Sequence, residues 1–149
     1  MGIIFKARHA ETGEDAAVKV MPAFLARDNT FRLRFEREVG VLTRLRHKNI
    51  FRLLESGFSE DGTFFYAMEF LEGETLWNRV KAGPLPESQA LRIGVEILEA
   101  LDYAHTLPSG GVIHRDLKPD NIYLVNGQVK IIDYGMSKMI QDATITVTG

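Results

Sequence analysis

His114-Arg115-Asp116-Leu117-Lys118-Pro119-Asp120-Asn121 brings a carboxylate, an ammonium and a carboxamide into one short loop, with a proline to stiffen it. A phosphoryl group in transfer carries dispersed negative charge, and it asks for positioning and electrostatic stabilisation more than for covalent help. The three side chains suit that demand. A polar turn of the same composition is the plainer alternative, since Lys-Pro-Asp-Asn is good turn chemistry. The neighbouring stretches decide between the two.

Two short apolar runs follow the loop, Ile122 to Val125 and Val129 to Ile132, with Asn126-Gly127 between them. Alternating apolar residues around Asn-Gly predict a β-hairpin. Asp133-Tyr134-Gly135 stands just past it. Alone, Asp-Tyr-Gly is a common turn; placed behind a hairpin that separates it from Asn121, it becomes a second candidate for chemistry. Far upstream lies Ala16-Ala17-Val18-Lys19-Val20. In a strand, alternation puts Ala17 and Lys19 on one side. A solvated lysine on an ordinary strand is the bland reading of that segment.

Phe31, Phe35, Leu42 and Leu45 fall at heptad-like spacing on a segment that reads as a helix, and Glu38 sits on the same stripe. A carboxylate on a buried stripe is costly unless paired. Arg34, Arg37 and Arg44 fall on the other faces and read as its wet surface.

Taken together these stretches resemble the protein kinase family, specifically the eukaryotic-like serine/threonine kinases of bacteria. The loop at 114–121 resembles the family's catalytic loop, 133–135 its Asp-Phe-Gly, and 16–20 its Val-Ala-Ile-Lys strand. The resemblance implies ATP and Mg²⁺ as cofactors and a protein Ser or Thr hydroxyl as acceptor. Asp116 is then the residue that orients the hydroxyl or takes its proton. Lys118 neutralises charge on the transferring phosphate, and Asn121 and Asp133 hold magnesium. Lys19 contacts the phosphates and pairs with Glu38, while Ala17 leaves room for the adenine. Met68-Glu69-Phe70-Leu71 resembles the gatekeeper and hinge, with backbone groups of Glu69 and Leu71 on the adenine edge; a plain edge strand is its alternative. Gly2 stands as the last glycine of a glycine-rich loop. Lys118-Pro119 resembles serine/threonine rather than tyrosine kinases. Tyr134 departs from the family's Phe and adds a hydroxyl that wants a partner when buried. Arg115, in the family, pairs with a phosphorylated residue of the activation segment, which points to Thr144 or Thr146 ahead of Thr148.

The implied fold is α+β, two-lobed and truncated at both ends: residues 1–71 as an N-lobe sheet with one helix, and 72–149 as the first part of a helical C-lobe. Hairpin strands are expected at 3–8 and 15–21, further strands near 51–57 and 63–70, and a helix from Ala90 to His105 opened by Pro86. A helix over 87–105 without its usual neighbours would expose apolar surface and invite association. The absent glycines and the missing Ala-Pro-Glu argue for a fragment of a longer kinase.

Composition bounds the alternatives. The chain has 149 residues, 45% of them hydrophobic, within the size of one domain. A net charge of −2 favours neither nucleic acid nor an anionic membrane. There is no cysteine, no apolar run long enough for a membrane span and no signal-peptide core, in keeping with a cytoplasmic setting. Two further functional readings stay open. One is a non-catalytic, kinase-like regulatory fragment. The other is a small-molecule phosphotransferase of the aminoglycoside type, which shares a His-x-Asp-x4-Asn loop but which Arg115 and Lys118-Pro119 oppose. Oligomeric state leaves no sequence trace.

Overall fold

A computed structural model describes residues 3–22, 24–25, 29–108 and 110–134, apart from the side chain of Glu38. They form two compact units, 3–44 with 52–70, and 45–51 with 71–134.

The first unit is a four-stranded antiparallel sheet with one helix. The strands are β1 (Ile3–Arg8), β2 (Asp15–Val20), β3 (Leu53–Phe58) and β4 (Phe64–Glu69), in the order β1-β2-β4-β3. The expected hairpin at 3–8 and 15–21 is present as β1 and β2, closed by a loop in which Gly13 takes a positive φ of 71°. Helix α1 (Asn29–Leu42) buries Phe31, Phe35, Val39 and Leu42. Phe64 of β4 receives them: its ring centroid lies 5.4 Å from that of Phe31 and 4.9 Å from that of Phe35. Aromatic pairs at such spacing add about 0.5–1.5 kcal/mol each beyond their buried area. Phe64 and Tyr66 share a face of β4, and Tyr66 is register partner to Lys19. The helix therefore packs on the sheet face that carries Lys19.

Leu45 departs from the expected stripe. The helix ends at Leu42, and Leu45, although buried, belongs to the second unit. A heptad count cannot see the turn at Thr43-Arg44 that breaks the periodicity.

The second unit holds β5 (Glu74–Thr75), α2 (Leu76–Lys81), α3 (Glu87–His105), a 3₁₀ turn at Pro119–Asn121, β6 (Ile122–Val125) and β7 (Gln128–Ile131). The β6–β7 hairpin turns on Asn126 and Gly127, at φ 50° and 80°, the left-handed pair a two-residue type I′ connection needs. Helix α3 covers the expected 87–105, with Pro86 as its N-cap. Its Ile93, Ala100 and Ala104 are buried, whereas Leu91, Val95 and Leu98 face solvent. Thr75 caps α2, its hydroxyl accepting from the Asn78 amide at 3.1 Å.

Segment 45–51 is fastened to this unit by polar contacts. The Asn49 carboxamide donates to Glu96 Oε2 at 3.0 Å and to the Val129 carbonyl at 2.9 Å, and the Val129 amide donates to the same Glu96 oxygen at 2.8 Å. Backbone bonds join Ile131 N–H to the Asn49 carbonyl and Phe51 N–H to the Ile131 carbonyl. Strand β7, which leads into Asp133, is thus tied to α3 through one glutamate.

Candidate active site

In the second unit the loop after α3 is built around a buried histidine. His114 is 2% exposed. Its Nδ1 accepts the backbone N–H of Asp116 at 3.3 Å, so its Nε2 carries the proton and donates to the Ile132 carbonyl at 2.8 Å. Burial pushes its pKa below the ordinary value, partly offset by the Ile132 carbonyl. A neutral imidazole therefore links the loop carrying Asp116 to the residue before Asp133. The Tyr134 ring packs on the same imidazole, centroid to centroid 4.5 Å.

Two backbone departures flank these contacts. Arg115 and Asp133 have φ of 67° and 60°, left-handed conformations that cost side-chain-bearing residues about 1–3 kcal/mol each. Both residues adjoin groups that the loop presents, Arg115 just before Asp116 and Asp133 just after Ile132.

Around Asp116 the polar groups converge. Lys118 Nζ lies 3.0 and 3.3 Å from the two carboxylate oxygens. Asn121 Nδ2 donates to the Asp116 carbonyl at 2.8 Å and to its Oδ2 at 3.1 Å. The Lys118 bond chiefly, aided by its charge and by Asn121, holds the Asp116 carboxyl below its usual range. Both of these Asn121 bonds use its amide nitrogen, so the hard carbonyl oxygen is left over. The Ile132 amide donates to the Asn121 backbone carbonyl at 2.9 Å, joining the 3₁₀ turn to the residue before Asp133. Asp133 is itself buried.

Gly111 has no room for a side chain, because a Cβ there would run into the carbonyl of His105. The loop must therefore leave α3 close against its last turn.

Tyr134 is 1% exposed, and among the described residues its hydroxyl has no hydrogen-bond partner. Burial alone drives its pKa well above the ordinary phenol value. The sequence foresaw the need for a partner, and the structure leaves it unmet.

In the first unit Lys19 is buried, its Nζ 5.8 Å from the centre of the Tyr66 ring. Ala17 lies on its row, half-buried, with Met68 as register partner. Met68 is buried. The Glu69 amide donates to the Arg52 carbonyl at 3.0 Å, and its carboxylate accepts the Arg52 amide at 2.9 Å. Any adenine contact from Glu69 falls to its carbonyl. Leu71 is half-buried at the start of the second unit. Glu38 lies on α1, but its side chain is outside the described residues, as are Gly2, Gly135 and the threonines at 144, 146 and 148.

Missed at the level of sequence were the two-sided role of His114 and the Asn49–Glu96–Val129 tie. A histidine two residues before the candidate base was the one available signal for the first.

Comparison with known proteins identifies the family. Residues 1–148 match the model of the protein kinase domain. Serine/threonine-protein kinase PknB of Mycobacterium leprae is 37% identical over 97% of this chain and 24% of its own length. Serine/threonine-protein kinase pkn3 of Myxococcus xanthus is 38% identical over 97% of this chain and 27% of its own. The solved PknI kinase domain of Mycobacterium tuberculosis superposes with a TM-score of 0.76 at 32% identity, covering 91% of this chain and 54% of that one. The chain belongs to the protein kinase family, a family of phosphotransferases, and its relatives are serine/threonine kinases. It spans about a quarter of the length of those curated relatives and about half of the solved domain.

Proposed function

We propose that the protein containing this chain transfers the γ-phosphoryl group of Mg-ATP to Ser or Thr hydroxyls of a protein substrate. The observation that carries the reading is the convergence of Lys118 and Asn121 on Asp116. A carboxylate held ionised by these neighbours is a weak base, so its main work is to orient the substrate hydroxyl for in-line attack. The proton moves to it as the oxygen bonds to the γ-phosphorus and the bond from that phosphorus to the β,γ-bridging oxygen breaks, releasing ADP. Lys118, exposed enough to reach outward, offers its charge to the transferring group.

The residues fit a magnesium ion. Asn121 keeps its carbonyl oxygen free of the two bonds its nitrogen makes, and Asp133 adds a carboxylate. One or two such ligands, completed by phosphate and water oxygens, is the usual way magnesium is held. Bound there, it would neutralise charge on the phosphates. Lys19 is assigned to the phosphates, with Glu38 as its partner, and Ala17, Met68, Glu69 and Leu71 to the adenine. Gly2 is assigned to the loop over the phosphates, and the compartment is taken as the cytoplasm.

Calorimetry of Mg-ATP on the full-length protein tests this. Lys19→Met and Asp133→Asn should each weaken binding clearly, whereas unchanged affinity in both would remove the phosphate-site assignment.

A further inference from the structure

The first unit has a second face. Along β1, β2 and β4 the rows alternate, so Ile3, Phe5, Ala7, Ala16, Val18, Phe65 and Ala67 lie opposite the row of Ala17, Lys19, Tyr66 and Met68. On that opposite face a cavity of about 670 Å³ is floored by Ala7, Ala16, Val18, Phe65 and Ala67. In β3 the register slips between Leu53 and Glu55, and Leu54 and Glu55 both line the cavity. Its volume falls within the range of about 300–1,000 Å³ common for binding pockets. Of the described residues assigned above to ATP, Ala17, Lys19 and Met68 are on the other side of the sheet, Glu69 shares the row of Ala67 without lining the cavity, and Leu71, Asn121 and Asp133 belong to the second unit.

Charge at the cavity is predominantly acidic, three carboxylates against one guanidinium. Glu11, Glu14 and Glu55 line it, and all three are exposed. Arg8 also lines it, but its guanidinium is drawn to Asp15 at 3.2 Å, and Asp15 is held at 2.8 Å by Lys6 as well. Lys6, Arg8 and Asp15 belong to the row of Ala17 and Lys19, so their charges lie toward the far face. His9 is folded into its own turn, Nδ1 accepting the amides of Glu11 and Thr12 at 3.3 and 3.2 Å. The mouth is therefore an acidic rim over an apolar floor.

The surface is also elongated. Ile3 and Phe5, 64% and 51% exposed, continue the row of Ala7 away from the glutamates. Four strand steps from Ala7 to Ile3 make a ridge of about 13 Å. Apolar surface that starts in an acidic pocket and runs on in one direction suits an extended chain better than a compact molecule.

We propose that this face docks an extended peptide segment of a partner protein, with basic residues at the end that meets Glu11, Glu14 and Glu55 and apolar residues along the cavity and the Phe5–Ile3 ridge. The glutamates supply direction and the floor supplies burial. The assignment is independent of the phosphotransfer reading, since it uses no residue of that site.

Fluorescence anisotropy of labelled acetyl-RKFLV-amide on the full-length protein tests it, with acetyl-EEFLV-amide as the charge-reversed probe. The basic peptide should bind at least about tenfold more tightly than the acidic one. The exposed double variant Glu14→Lys/Glu55→Lys should lose that preference while still binding Mg-ATP, and Lys19→Met should leave peptide affinity unchanged. Equal affinity for the two peptides, or none for either, would overturn the proposal. So would sedimentation showing that the protein self-associates and that the double variant dissolves the assembly, because the face would then belong to a second copy.

Discussion

His114 Nε2 donates to the carbonyl of Ile132 at 2.8 Å, and that bond ties the loop bearing Asp116 to the residue before Asp133. The imidazole makes this bond and accepts the Asp116 amide at the same time only when neutral, because protonation turns Nδ1 into a donor. Burial holds the folded pKa below the 6.5 of the unfolded chain. The unfolded state thus binds the proton more readily, and the contribution to stability is whole above 6.5 and is lost as pH falls from there toward the lower folded pKa. His47, also lowered chiefly by burial, adds in the same direction. Melting temperature should fall as pH drops from 7 toward 5, and His114→Phe should flatten the slope.

Asp116 titrates in a different window. Its carboxyl is lowered below 3.8, mainly by the Lys118 hydrogen bond, so its contribution is present above about 4 and is lost in more acid solution. Lys118→Met should leave stability between pH 5 and 7 nearly unchanged, since the pair is partly exposed and such pairs contribute little. Turnover should nevertheless fall, by about 10²-fold or more for a charge aimed at the transferring group. A variant with full activity would mean that Lys118 only decorates the loop.

Tyr134→Phe is expected to stabilise the fold. The hydroxyl is buried and, among the described residues, unpartnered, so its removal relieves a desolvation cost of about 1 kcal/mol. The ring and its packing on His114 are kept. A shift of the denaturation midpoint to higher urea at constant m-value would show it, and a shift the other way would mean that the hydroxyl has a partner in solution.

Gly111→Ala should do the reverse. Its Cβ would press on the His105 carbonyl, which is backbone and cannot swing aside. A loss of about 2 kcal/mol or more in urea unfolding is expected. Gly94→Ala, inside α3 with nothing near its Cβ, is the control and should be neutral or slightly stabilising.

The sequence was most legible where local chemistry and function coincide. Asn126-Gly127 announced the β6–β7 hairpin because only such residues accept two consecutive positive φ values. The spacing of Asp116, Lys118 and Asn121 announced their convergence, since a 3₁₀ turn begun by Pro119 folds them together without distant help. Helix α2 was not foreseen: six residues with no buried face leave no periodicity to count. Glu96 gave no sign either, because its partners Asn49 and Val129 are far away in sequence and an exposed helical glutamate would look the same. Leu45 misled by matching a repeat that the chain had already abandoned at Thr43.

Transfer of γ-³²P from Mg-ATP to a generic protein substrate by the full-length protein, followed by identification of the labelled amino acid, tests the central claim most directly. Phosphoserine or phosphothreonine should form, and Asp116→Asn should lower the rate by about 10²–10⁴-fold while Mg-ATP affinity is kept. Undiminished transfer by Asp116→Asn, or phosphotyrosine as the sole product, would contradict it.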